Sequence, residues 1–215
     1  MSPPLVVFGA GGHAKVVADI ARCRGQTVLG FVDPAAEATS YLGAKLAREW
    51  GTLAAPRATE IVIAIGDNAR RKSVADEILT FVSSPSFATL THPSAMIAPD
   101  VVLGPGSVVM AAAVINSGAI LGSHGIVNTG ALLDHDVRTG DFVSIAPGVT
   151  IGGHVSIDRF SAVGIGAVVV HNIRIGENSV VGAGALVLDD IGCDIVAYGT
   201  PCRPVRVRRF GDPYL

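Results

Sequence analysis

An aliphatic side chain returns at every sixth position from Ile97 to Val187. The series runs Ile97, Leu103, Val109, Ile115, Leu121, Val127, Leu133, Thr139, Ile145, Ile151, Ile157, Val163, Val169, Ile175, Val181 and Val187, with Thr139 its one polar member and no insertion to break the count. Glycine often follows directly, as at Gly104, Gly122, Gly152 and Gly182. The fourth residue on is small or Val, as at Ser107, Ala113, Ala131, Val149 and Ala185. A fixed short period marks a solenoid, and a six-residue period marks a parallel β-helix. Each unit supplies one short strand and one tight corner, and three units close a triangular coil. The recurring aliphatic then points inward and stacks on its equivalents, while the small position fills the space near the corner.

The composition suits such a coil: 49% of residues are hydrophobic, only 5% are aromatic, and there are 26 glycines. A net charge of −2 gives no electrostatic reason to expect nucleic acid or a membrane surface as partner. Cys23, Cys193 and Cys202 are odd in number and lack metal-ligand spacing, which fits a reducing cytoplasm. The apolar run Leu5–Phe8 is too short for a secretory signal, and nothing approaches the roughly 20 apolar residues of a membrane span. A soluble cytoplasmic protein without membrane insertion is expected.

Residues 1–92 read as a small α/β domain ahead of a solenoid over 93–215. Leu5–Phe8 is a buried strand running into Gly9-Ala10-Gly11-Gly12-His13-Ala14-Lys15 and then a helical pattern. Strand, Gly-rich turn and helix begin a dinucleotide-type unit, in which helix-terminal N–H groups receive a phosphate. Ala14 stands at the third glycine of that fingerprint, so the motif is incomplete. A second strand, Thr27–Val32, leads to Asp33, and a third, Ile61–Ile65, leads to Gly66, Asp67, Asn68 and Arg70. Ligands of open α/β sheets sit beyond the carboxyl ends of strands, so these groups converge on one edge. Asn68 can instead cap the helix over 69–81, and Arg70 can be a solvated charge. The stretch from Glu37 to Pro56 reads as irregular with a short helix, and Phe87–Leu90 as a last strand.

No pair among the six histidines has the close spacing of a three-nitrogen zinc set, so no metal is expected. Asp134-His135-Asp136 interrupts the small, apolar texture of the coils. A carboxylate beside an imidazole can fix its tautomer and orient it as a base.

Gly9–Val17, Ala64–Asn68, His92-Pro93-Ser94-Ala95, Asn128-Thr129-Gly130-Ala131 and Asp134-His135-Asp136 together resemble the bacterial sugar O/N-acetyltransferases of the sialic-acid O-acetyltransferase-like family. The likeness is greatest to those acting on nucleotide-linked 4-amino-4,6-dideoxyhexoses, and it covers Leu5 to Arg206. It implies a small α/β Rossmann-like domain followed by a left-handed parallel β-helix, an exception to the usual crossover hand. It implies acetyl-CoA as co-substrate and a homotrimer with sites between subunits. The resemblance makes His135 the catalytic base with Asp136 its acidic neighbour, and places Asn128 near the sugar. Gly11, Gly12, His13, Asp33, Gly66, Asp67, Asn68 and Arg70 fall where the family binds the nucleotide. Gly153, Ile165, Ala183 and Gly184 fall along the pantetheine arm, and Pro201 and Arg203 near the adenosine end of CoA. Ser144 stands where some relatives have a second histidine beside the thioester. Acetyl transfer to a sugar hydroxyl, or a non-catalytic nucleotide-sugar-binding module, remain the other readings. The basic tail Arg203, Arg206, Arg208 and Arg209 is either solvated or in contact with CoA phosphates.

Overall fold

Four consecutive apolar residues, Leu5–Phe8 (β1), are buried without exception, as a strand covered on both faces requires. In the computed structural model, which describes residues 2–53 and 59–213, β1 is central to a six-stranded sheet. It pairs in parallel with Val28–Val32 (β2) and with the strand after the 3₁₀ turn Trp50–Leu53, Glu60–Ile63. A short antiparallel hairpin, Ser40–Tyr41 (β3) and Ala44–Ala47 (β4), extends the β2 side. With Glu60–Ile63 as β5 and Ser86–Phe87 as β6, the order is β3-β4-β2-β1-β5-β6. Residues 54–56 of the stretch read as irregular lie outside the described residues.

Helix α1 (Gly12–Cys23) covers one face of this sheet with Ala14, Val17, Ile20 and Ala21, and α2 (Asn68–Phe81) covers the other with Ala75 and Ile78. α1 is itself sandwiched, because Leu90, Val108, Met110 and Ile126 of the solenoid close over it. The strand expected over Phe87–Leu90 is split. Phe87 completes the first sheet, and Leu90–Thr91 pairs with Val108–Val109 as the first rung of the solenoid.

From there the chain is a left-handed β-helix of two-residue strands, each paired in parallel with the strand eighteen residues on. Three stacked sheets of eight, six and five strands form the walls. The outer face of the eight-stranded wall meets the N-terminal domain at Val108, Ile126 and Ser144, and Ala162 and Val180 further along the same row are buried as well. From Ile115 to Val187 the aliphatic steps of the six-residue series line one continuous core, and the small residues at the corners are packed with them. Thr139 is the exception, and its hydroxyl accepts a hydrogen bond from the Gly122 N–H at 3.3 Å. Ile195–Tyr198 adds to the eight-stranded wall and Arg203–Val207 pairs antiparallel with it, so Arg203 and Arg206 of the basic tail lie on a strand and Arg208 and Arg209 just beyond it.

Candidate active site

The carboxyl ends of β1, β2 and β5 open into a cavity of about 960 Å³. Gly11, Gly12, His13, Asp33, Gly66, Asp67 and Arg70 all line it. Gly11 caps α1 without any side-chain bond, and a Cβ at Gly11 or Gly12 would meet only open space. That leaves the start of α1 bare toward the cavity, where its N–H groups favour an anion. Asp67 caps α2 by accepting from the Arg70 N–H at 2.8 Å. Asp33 ties two loops together, accepting from the Ala10 and Ala35 N–H groups at 3.0 Å each. The His13 ring sits in the wall, and burial, with the charge of Arg71 second, lowers its pKa to about 4. It is therefore neutral at physiological pH.

Asn68 is not among the cavity residues. It is fully buried, donates to the Phe160 carbonyl and accepts from Arg208 Nη2 at 3.4 Å. With Asp67 at the cap, the next residue turns to the opposite side of the helix start, toward the solenoid. Ser144 faces the same junction, accepting from Arg71 Nη2 at 3.1 Å and donating to the Gly66 carbonyl at 3.5 Å. Its hydroxyl joins the two domains. Arg71, 1% exposed, also donates to the carbonyls of Ile65, Gly66, His124 and Phe142. Arg208 makes the matching clamp from the tail, through Phe160, Asn178 and Asn68. The basic tail therefore divides: Arg208 is buried at this junction, Arg203 pairs with Asp189, and Arg206 pairs with Asp212.

His135 stands on a solenoid corner with its Nδ1 2.9 Å from Asp136 Oδ2. Its own N–H donates to Asp134 Oδ1, which also accepts from Asn116 Nδ2. The hydrogen bond to Asp136 comes first among the causes that raise the His135 pKa above its ordinary 6.5. Asp136 adopts φ of +58°, a conformation that carboxamide and carboxylate residues tolerate best after glycine. Gly153 lies one coil on, so close that a Cβ there would fall 2.6 Å from His135 Nε2. His154, which sequence reading passed over, packs edge-on to His135 with centroids 4.9 Å apart, its Nδ1 3.7 Å from Asp136 Oδ2. The coil period shows why: 136 plus 18 is 154, so His154 repeats the corner of Asp136 and not that of His135. His135, Asp136 and His154 present nitrogen and oxygen atoms within 4.8 Å of one another. Asn128 lies on the preceding corner, its Oδ1 accepting from the Thr129 N–H.

Ile165, Ala183 and Gly184 lie on that preceding corner edge, where Gly130, Gly148, Gly166 and Gly184 repeat φ of +64 to +66° with open space beyond each Cα. The Thr200 hydroxyl leans on the Gly184 carbonyl at 3.4 Å, bringing Pro201 to the same edge. These four glycines thus form a ridge with no side chains, suited to close approach by an extended ligand.

Comparison with known proteins agrees with this arrangement. Residues 4–78 match the PglD N-terminal domain family. A perosamine N-acetyltransferase from Caulobacter crescentus, solved with CoA and GDP-perosamine, is 33% identical and superposes with a TM-score of 0.89 over 96% of this chain and 98% of that one. The acetyltransferase domain of PglB from Neisseria gonorrhoeae is also 33% identical, with a TM-score of 0.86 over 94% and 99% of the two chains, and has been solved with acetyl coenzyme A. The UDP-N-acetylbacillosamine N-acetyltransferase of Bacillus subtilis is 36% identical over 116 residues, 50% of this chain, which spans only about half (51%) of that enzyme's length. By its fold and its relatives the protein is a hexapeptide-repeat acyltransferase. It belongs to the family of nucleotide-sugar N-acetyltransferases that includes the perosamine and bacillosamine enzymes.

Proposed function

We propose that this chain transfers acetyl from acetyl-CoA to the C4 amine of a nucleotide-linked 4-amino-4,6-dideoxyhexose, in the cytoplasm and as a homotrimer. The observation that carries the reading is the His135–Asp136 dyad on a corner of the solenoid, in a chain whose N-terminal domain opens a cavity at two helix starts. The Caulobacter relative, solved with CoA and GDP-perosamine, has also been solved with one histidine replaced by Asn or Ala. That supports a histidine at the centre of the chemistry. The outward row on the six-stranded wall is largely apolar and open, with Met96, Leu132 and Val168 at 66%, 43% and 40% exposure and Thr150 its polar member, which supports packing against further copies.

In this mechanism Nδ1–H donates to Asp136, which leaves the Nε2 lone pair on the Gly153 side. The amine nitrogen attacks the thioester carbonyl carbon while Nε2 takes its proton. The C–S bond then breaks, and the imidazolium returns the proton to the departing CoA thiolate. The Gly153 backbone N–H is assigned to the developing oxyanion. General-base assistance of this kind is worth about 10²–10⁴ in rate, and holding both substrates in register contributes as much or more. His135→Ala is expected to lose most of kcat while nucleotide-sugar affinity, measured by calorimetry, stays near wild type. Full activity in an assembled variant would remove the base from this residue.

A further inference from the structure

The cavity beside Gly11 has two chemically different ends, and α2 runs between them. Arg70, Ser73, Val74, Glu77 and Phe81 all line it, a spacing that keeps one helical face turned inward. At the start of α2 lie Gly66 and Arg70, opposite the bare start of α1. At its end Phe81, 44% exposed, stands with Trp50 and Phe8 in an aromatic group whose centroids are 5.8 to 6.4 Å apart. An open aromatic platform beside a cavity suits the face of a flat heterocycle.

Four carboxylates line the cavity, and two are already committed to backbone amides: Asp33 to Ala10 and Ala35, Asp67 to Arg70. The other two are Glu49, beside Trp50, and Glu77, one helical turn before Phe81. Neither forms an ion pair among the described residues. A carboxylate only accepts hydrogen bonds, so it selects a base by adjacent donors. Guanine offers two side by side, N1–H and an N2 amino hydrogen, and one carboxylate accepts both. Uracil offers a single N–H between two carbonyl oxygens that repel a carboxylate, and adenine sets its amino group beside a bare ring nitrogen.

We propose that the aromatic end of this cavity takes guanine, Glu77 accepting from N1–H and the N2 amino group while Phe81 and Trp50 stack on the ring. The sugar donor is then GDP-linked. This rests on the nucleotide-sugar reading above and narrows it.

Calorimetric titration of the full-length protein with GDP, UDP and ADP tests the proposal. GDP should bind tightest, and Glu77→Gln should weaken GDP by about ten- to a hundred-fold, the scale of one bidentate base contact, with UDP little changed. Glu49→Gln should leave GDP binding near wild type. Wild-type preference for UDP or ADP overturns the guanine assignment and leaves the nucleotide-sugar reading standing. Loss of GDP binding in Glu49→Gln in place of Glu77→Gln overturns the role of Glu77. Failure to bind any of the three nucleotides overturns both. If Glu77→Gln does not fold, wild-type selectivity among the three still decides.

Discussion

Gly153→Ala tests the active-site reading with one methyl group. The added Cβ would lie 2.6 Å from both His135 Cε1 and Nε2, whereas ordinary contact begins near 3.4 Å, so the ring must move by about 0.8 Å. The ring is half exposed, so it can yield by swinging outward. Any such swing lengthens the 2.9 Å bond from Nδ1 to Asp136 and carries Nε2 off its line to the substrate. A misplacement of about 1 Å at a reacting group costs about 10² in rate. Gly153 has no left-handed backbone angle, so Ala adds no backbone strain and the coil should remain intact. The expected outcome is a kcat about a hundred-fold down with a melting temperature near wild type. The assay follows thiol release from acetyl-CoA with a saturating nucleotide-linked amino sugar. A Gly153→Ala enzyme that keeps wild-type kcat would show that His135 is not held where the chemistry requires it.

Three further outcomes are expected. Asp136→Asn removes the chief cause of the raised His135 pKa, so the acidic limb of the kcat profile should move to lower pH and its plateau should drop; an unmoved limb would detach the two residues. Arg71→Met strips a buried guanidinium from four carbonyls and the Ser144 hydroxyl and should cost about 3–5 kcal/mol in urea denaturation. Lys should not restore the loss, because one ammonium cannot span that fork, and an unchanged midpoint would contradict the clamp. His13 and His124 both have folded pKa values lowered to about 4, chiefly by burial. Between pH 6.5 and about 4 the unfolded chain therefore takes protons that the folded one refuses. Stability should fall across that window by up to about 3 kcal/mol per histidine, and level off below it. His124→Phe extends the stack of Phe142 and Phe160 and should shallow the slope; an unchanged slope would assign it elsewhere.

The solenoid was legible because each unit solves the same packing problem, so the solution repeats in the chain as it does in space. The cavity was legible for a different reason: parallel strands deliver their ends to one edge, whatever lies between them. Asn68 and Ser144 escaped because their partners, Phe160 with Arg208 and Arg71 with Gly66, belong to the other domain. No local pattern encodes a contact between domains. Trp50 and Glu77 escaped likewise, since an irregular turn and the far end of a helix meet only across the cavity. His154 was within reach, given the eighteen-residue coil as the ruler in place of the six-residue unit.

The clamp at Arg208 has a consequence for how the molecule comes into being. Each rung of the coil binds the rung eighteen residues earlier, so rungs can settle one after another as the chain leaves the ribosome. Arg208 reaches back 140 positions to Asn68, and it also donates to the corners at Phe160 and Asn178 and to the Asp212 carbonyl. The first domain is therefore built early, held first by Arg71, and receives its final fastening last. A nascent chain halted before residue 208 would hold a finished cavity, a finished His135 corner and the Arg71 clamp, and would lack only the second guanidinium clamp between the domains.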